Sequence, residues 1–414
     1  MHLVSDPGSP NPFEGFPLFG DLAKLFGQGG MGAGAPWEAA RTLALNVATD
    51  GTSEPNVDPL ERIKLEQLAR VADLQVAHVT GLSTSATGRQ LTVVPVTRGQ
   101  WARRTLDDYR PLLEKLAGSL GSPEALADEI GGDVDEPDGP AGPEDQLAAM
   151  LGPMLSAMQP MMVAMTAGSM VGHLARRSLG QYDLPIPRSP SDELMIVVPN
   201  LDAFGREWSL PDDDLRLWIC LHEIAYHTVL AVPHVRGRLD SLLTRYTTSF
   251  RNDPRALEDQ IGELDLAGGP DALASFQSLL GEPGALLGAI QSDEQRALLP
   301  QLEATVAVIA GVVDHVMDEV GHKLIASYGM LTEALRRRRV ETAESDRFVE
   351  RLLGLELTQG VYDRGTAFVG GVIERAGPDG LARLWESERM LPSPPEVDAP
   401  GLWLARIDLP NDDG

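Results

Sequence analysis

Apolar residues recur at helical spacing along most of this chain, and only two short runs break into an extended pattern. Leu60, Ile63, Leu65, Leu68, Val71, Leu74 and Val76 give residues 37–80 a helical rhythm. Thr92-Val-Val-Pro-Val-Thr97 and Leu194-Met-Ile-Val-Val-Pro199 are the strand candidates, and a helix is predicted from about Gln100 to Leu120. From Pro211 onward the pattern is helical almost to the end, interrupted by Gly/Pro breaks near 268 and 282. Ser209 as cap and Pro211 as first-turn residue predict where that helical part starts. A second long helix is expected from about Pro300 to Val320, with several more up to Trp385. No internal repeat interrupts the sequence. The expectation is a mainly α fold with a small β element.

Composition divides the chain further. Residues 1–35 are rich in Gly, Pro and Phe and end in Gly27-Gln-Gly-Gly-Met-Gly-Ala-Gly-Ala-Pro36. Such a stretch buries too little surface to offset its chain entropy, so it is predicted to be a disordered tail. Residues 36–130 form a mostly helical N-terminal part, 131–145 an acidic Pro/Gly linker or loop, 146–407 a larger helical domain, and 408–414 a C-terminal tail. Gln146 to Gly172 carries no charge and is long enough to span a bilayer. Its Pro153 and Pro160, its methionines and its lack of aromatic anchors favour buried, kinked helices over a transmembrane segment.

The formal charge of −27 argues against nucleic acid or an anionic membrane as partner. Arg336 to Arg339 are the exception, and their place at a helix end suits them to oppose the helix dipole. One cysteine, Cys220, excludes an internal disulfide and fits a reducing compartment. With no signal peptide evident at the N-terminus, the expected location is cytoplasmic.

The candidate chemistry lies in Leu221-His-Glu-Ile-Ala-Tyr-His227. Zinc peptidases use His-Glu-x-x-His: two histidines four residues apart grip the metal from one helical face, and the glutamate acts on the bound water. Here His222 and Glu223 are in place, the second histidine position holds Tyr226, and a histidine follows one residue late at His227. At about 100° per residue, Leu215, Trp218, Ile219, His222, Tyr226 and Val229 share one face, with Glu223 at its edge. His227 falls about 100° round from Tyr226 and would join that face only through a π-bulge. On the second long helix a core stripe of Leu302, Val306, Ile309, Val313, Val316 and Val320 is flanked by Glu303, Ala310, Asp314 and Met317. A downstream carboxylate ligand is expected on that flank.

The chain resembles a bacterial zincin-like metallopeptidase family, described as zinc-dependent hydrolases and also associated with biosynthesis of a deazaflavin coenzyme. The resemblance spans nearly the whole chain. It rests on the Asn11-Pro-Phe start, Leu179-Gly-Gln-Tyr-Asp-Leu-Pro185, Val198-Pro-Asn200, Arg216-Leu-Trp218 with Leu221-His-Glu223, Asp314-His-Val-Met-Asp318, Leu353-Gly-Leu-Glu356 and Leu384-Trp-Glu386 with Leu391-Pro392. It implies a zincin-like fold and zinc as cofactor. It also implies that His222 is the first ligand and Glu223 the catalytic carboxylate. The family's second histidine falls on Tyr226, its ligand glutamate on Ala310, and Asp314 resembles the acidic residue that orients a ligand histidine.

A catalytic zinc normally has three protein ligands and an open position. Two of the three are replaced here, so the expectation is a catalytically silent pseudo-peptidase, or a binding protein for a peptide or protein partner, with no zinc bound. The alternative is an active zinc hydrolase with a rearranged ligand set of His222, His227 and Asp314 and with Glu223 as base. A third reading is a structural partner of a paralogue whose site is intact.

Overall fold

The computed structural model describes residues 35–120, 161, 163–249, 292–340, 350–355 and 357–409. The Phe-rich start, the acidic Pro/Gly stretch, most of the methionine-rich run and the last residues of the chain lie outside these. Among the described residues the fold is mainly helical with one two-stranded parallel sheet, the architecture that the apolar periodicity predicts.

The stretch read as one helical region divides in two: α1 (Ala35–Thr49) and α2 (Pro59–Thr80). Asp50 and Gly51, both at positive φ, turn the chain between them. Asp58 then caps α2 by accepting from the Leu60 N–H, and Pro59 opens the first turn. The face of α2 that enters the core is not the one its large residues suggest. Leu65, Ala69, Ala72 and Val76 are buried, while Leu60, Ile63, Val71 and Leu74 are exposed. Small alanines let α2 approach the central helix closely, and the bulkier stripe faces outward.

β1 (Thr92–Val96) pairs with β2 (Glu193–Val197) in parallel, Thr92 opposite Glu193 and Val96 opposite Val197. α3 (Arg98–Leu120) follows β1, and a helical segment at 163–177 precedes β2. In that segment Ala164, Ala167, Met170 and Val171 are in the core, and Gly168 meets α1 so closely that a Cβ there would sit 2.5 Å from the Ala40 carbonyl oxygen. β2 runs directly into α4 (Val198–Glu207) through Pro199.

The centre of the fold is α5 (Asp212–Ala231). Ser209 does not cap it. Ser209 lies in the left-handed region at φ 52° in the turn before, and Pro211 stands at the cap position without a side-chain bond. Asp212, Asp213 and Asp214 occupy the first turn, where carboxylates offset the positive end of the dipole. α6 (Pro233–Thr248) follows.

The second long helix, α7 (Asp293–Leu324), begins well before Pro300. Its start is set by a capping box of Ser292 and Gln295, and Pro300 is carried inside the helix with one intrahelical bond lost. α7 is long and apolar enough to cross a membrane, and most of it is buried among its neighbours. It crosses α9 (Gln359–Ala382) backbone to backbone. A Cβ on Gly365 would come within 1.9 Å of the Ala307 carbonyl oxygen, so only glycine fits there.

Between them in sequence comes α8 (Tyr328–Val340), whose start is tied to α5 because Asp214 accepts from the Ser327 N–H at 2.8 Å and its hydroxyl at 2.7 Å. Two short helices, α10 (Pro394–Asp398) and α11 (Pro400–Ile407), close the described chain against α9.

Candidate active site on the central helix

α5 is buried along almost its entire length, so most of its polar side chains find partners inside the protein, Trp218 Nε1 and His227 Nε2 being exceptions. Trp218, His222 and Tyr226, each four residues apart, form a ladder of rings along one face. Trp218 stacks on His222 at 4.8 Å and 23°, and His222 meets Tyr226 at 4.8 Å and 59°. These three rings form part of the wall of a cavity of about 260 Å³.

Glu223 is held elsewhere. Its carboxylate is fully buried, and one oxygen accepts from the backbone N–H of Gln181 at 2.7 Å and of Tyr182 at 2.9 Å. The other oxygen lies 3.1 Å from His222 Nδ1. Gly180 makes this cradle possible, since a Cβ at that position would stand 2.3 Å from the Glu223 carboxyl carbon. The Leu179-Gly-Gln-Tyr182 segment is itself fixed, by the Trp101 indole N–H donating to the Gly180 carbonyl at 2.8 Å. Replacing Glu223 by alanine would strip the acceptor from two buried N–H groups. The expected destabilisation is about 2–4 kcal/mol, with a smaller loss for glutamine, which keeps an acceptor oxygen. Chemical denaturation of the two variants checks this, and equal stability of Glu223→Ala and the parent would rule out the anchoring role.

His227 does not join His222. α5 is α-helical through this point, and the His227 ring is turned toward Tyr182 and Asp192. Its Nδ1 lies 3.0 Å from the Tyr182 hydroxyl, and its Nε2 lies 3.9 Å from Asp192, too far for a hydrogen bond. Burial lowers the His227 pKa despite the Asp192 charge. Asp192 is in turn engaged by the Thr87 hydroxyl and by the backbone N–H groups of Ala86, Thr87 and Arg89. Burial opposes its charge, but these donors outweigh it and hold the carboxyl below its usual range.

Asp314, on α7, is brought towards the ring ladder. Burial raises its carboxyl pKa, against the opposing charges of Arg339 and His222 and a hydrogen bond with Thr366. Ala310, one turn earlier, is buried and offers no donor atom. Among the described residues, no group of three or more His, Cys, Asp or Glu side chains converges closely enough to hold a metal ion.

The residue that sequence reasoning missed is Arg339. The cluster Arg336–Arg339 divides its labour. Arg336 and Arg337 lie outside and pair with Glu333 at 3.6 and 2.7 Å, as a helix-end cluster would. Arg338 and Arg339 turn inward. Arg338 lies over the Phe204 ring at 5.6 Å and donates to the Arg177 carbonyl. Arg339 lies over the Tyr362 ring at 4.1 Å, and its charge is felt by Asp314 and Tyr226. The signal was there: 338 and 339 fall one and two turns after the buried Leu331, Ala334 and Leu335, on the core side of α8. Burial raises the Tyr226 phenol well above its ordinary pKa, and the nearby Tyr362 and Asp314 raise it further, so Tyr226 stays a neutral hydroxyl.

A central helix carrying His222-Glu223, faced by a second helix carrying Asp314, is the frame of a zincin-type protein. A profile of the zincin-like metallopeptidase family matches residues 36–404, and the chain belongs to that family. Among solved structures it is similar to a candidate hydrolase with a novel fold from Chloroflexus aurantiacus. That likeness has 23% identity and a TM-score of 0.56, covers 91% of this chain and 99% of that one, and supports the shared fold. No functionally curated protein matches the chain.

Proposed function

We propose that this family member is a catalytically silent pseudo-peptidase, and that its cavity binds a peptide or protein segment instead of hydrolysing one. The observation that carries this reading is the pairing of Tyr226 and Ala310 with Arg339. At the positions where the family resemblance places a ligand histidine and a ligand glutamate stand a phenol kept protonated by burial and a methyl group. A guanidinium interacts with Tyr226 and Asp314 beside them. A neutral phenol is a poor zinc ligand, and a fixed positive charge nearby opposes a second cation. The residues present therefore do not fit a three-ligand zinc site.

The position of Glu223 supports the same reading. A general base must reach the water it activates, and this carboxylate is occupied by two backbone amides and His222. The rearranged set of His222, His227 and Asp314 draws no support from the geometry, because His227 faces Tyr182 and Asp192.

The test is the metal content of untagged protein purified without chelator, then dialysed against micromolar zinc, read by mass spectrometry. The expected result is far less than one zinc per chain. Stoichiometric zinc that disappears on changing His227 to alanine would overturn the proposal and favour the rearranged ligand set, with Glu223→Gln as the next test of catalysis.

A further inference from the structure

The whole chain is strongly acidic, yet the wall of this cavity is not. Arg177, Arg338 and Arg339 line it, against the carboxylates of Asp183 and Glu350. A second cavity of about 240 Å³ shares Arg177, Leu179 and Arg338 with the first, and adds Arg98 and Arg176 against Glu207. Among the lining residues arginine outnumbers carboxylate in both chambers, with Asp314 a further carboxylate whose charge meets Arg339, in a molecule with a formal charge of −27. A concentration of guanidinium groups of this kind draws an anionic ligand to one place on the surface.

The arginines are also held in position. Arg177 pairs with Glu350 at 3.2 Å, and Arg338 lies 3.7 Å from Asp183 while its plane covers Phe204. Arg339 covers Tyr362. Guanidinium groups fixed on aromatic faces lose little freedom when they bind, and their planar fork matches a carboxylate. Beside this cationic wall lies an apolar one, formed by Trp218, Ile219, Leu335 and Leu357. The cavity volume is at the small end of ligand pockets, enough for a terminal residue but not for a folded segment.

Resting on the silent-site reading above, we infer that this cavity binds the C-terminal residue of a peptide. The terminal carboxylate lies against Arg338, Arg339 and Arg177, and an apolar last side chain lies on Trp218, Ile219 and Leu357. Tyr226, a neutral hydroxyl, is a further donor at the same wall.

The test uses the full chain and two probes, acetyl-Ala-Ala-Leu with a free carboxylate and its C-terminal amide, titrated calorimetrically with and without prior chelator treatment. The acid is expected to bind at least about tenfold more tightly than the amide in both preparations. Arg339→Gln should abolish that preference. Arg177→Gln should reduce it by several-fold and serves as a second, independent variant should the first fail to fold. Thermal melts confirm that both variants are folded. Equal binding of acid and amide, no binding of either, or an unchanged preference in folded Arg339→Gln and Arg177→Gln overturns the carboxylate site and leaves the silent-site reading standing. A preference that vanishes on chelation assigns the carboxylate to a metal and overturns both.

Discussion

Replacing Arg216 by alanine is expected to lower stability by about 3–5 kcal/mol, the range for breaking a buried ion pair from one side. Arg216 sits on α5 six residues before His222, and its side chain is 5% exposed. Its Nε reaches Glu61 of α2 at 2.5 Å, and its Nη2 reaches Asp202 of α4 at 2.7 Å. Nη1 pairs with Asp212 in the first turn of α5 itself. One guanidinium therefore joins three helices.

The three carboxylates do not contribute equally. Asp202 and Asp212 are 44% and 61% exposed and are rehydrated easily once the arginine is gone, so they account for little of the loss. Glu61, at 13%, is left largely shielded from water without its partner. Most of the effect should therefore be relieved by adding Glu61→Gln to Arg216→Ala, and the double variant should be more stable than Arg216→Ala alone. Urea unfolding of the parent, the two single variants and the double variant measures this coupling. A loss below about 1 kcal/mol for Arg216→Ala would mean that packing, not the ion-pair network, holds α2 and α4 to the central helix.

The sequence made α5 legible because a helix buried all round still keeps its period. His222 and Tyr226 lie four residues apart on the face with Trp218, and the structure gathers those three rings at one cavity wall. Both strands were legible as β-branched runs ending at Pro or Thr, although nothing local reveals that they pair in parallel.

Other features depended on what arrives from elsewhere in the chain. The core face of α2 is not evident from hydrophobicity, because Leu60, Ile63 and Leu74 outweigh Ala69 and Ala72 while close packing against α5 selects for small size. The start of α7 was placed too late because Pro300 looks like an N-terminal signal, while the capping box eight residues earlier decides it. The cradle of Glu223 is made of backbone N–H groups from residues 181 and 182, which no side-chain pattern encodes. Arg339 was hidden in a run of four arginines whose two halves face opposite ways.

Converting this site to a zinc site should require three changes, not two. Tyr226→His and Ala310→Glu restore the imidazole and carboxylate that the family pattern places there, and His222 supplies the third ligand. Left in place, the Arg339 charge would still interact with this region and oppose the metal. The double variant is therefore expected to take up zinc weakly, and the triple variant with Arg339→Gln to bind about one zinc per chain. At a hundredfold excess of zinc over Kd, binding should stabilise the triple variant by about 2.7 kcal/mol, visible as a rise in Tm on adding the metal. Circular dichroism before zinc addition shows whether the variant is folded, since Ala310 is buried and a larger side chain needs the volume that Tyr226→His vacates. Binding should not bring hydrolysis with it. The Glu223 carboxylate remains bonded to the Gln181 and Tyr182 amides, with Gly180 packed against it, so no free base stands beside the metal. If the zinc-loaded triple variant cleaved a peptide library, and Glu223→Gln abolished that cleavage, the cradle would be shown to open. The proposed silence of this chain would then rest on its missing ligands alone.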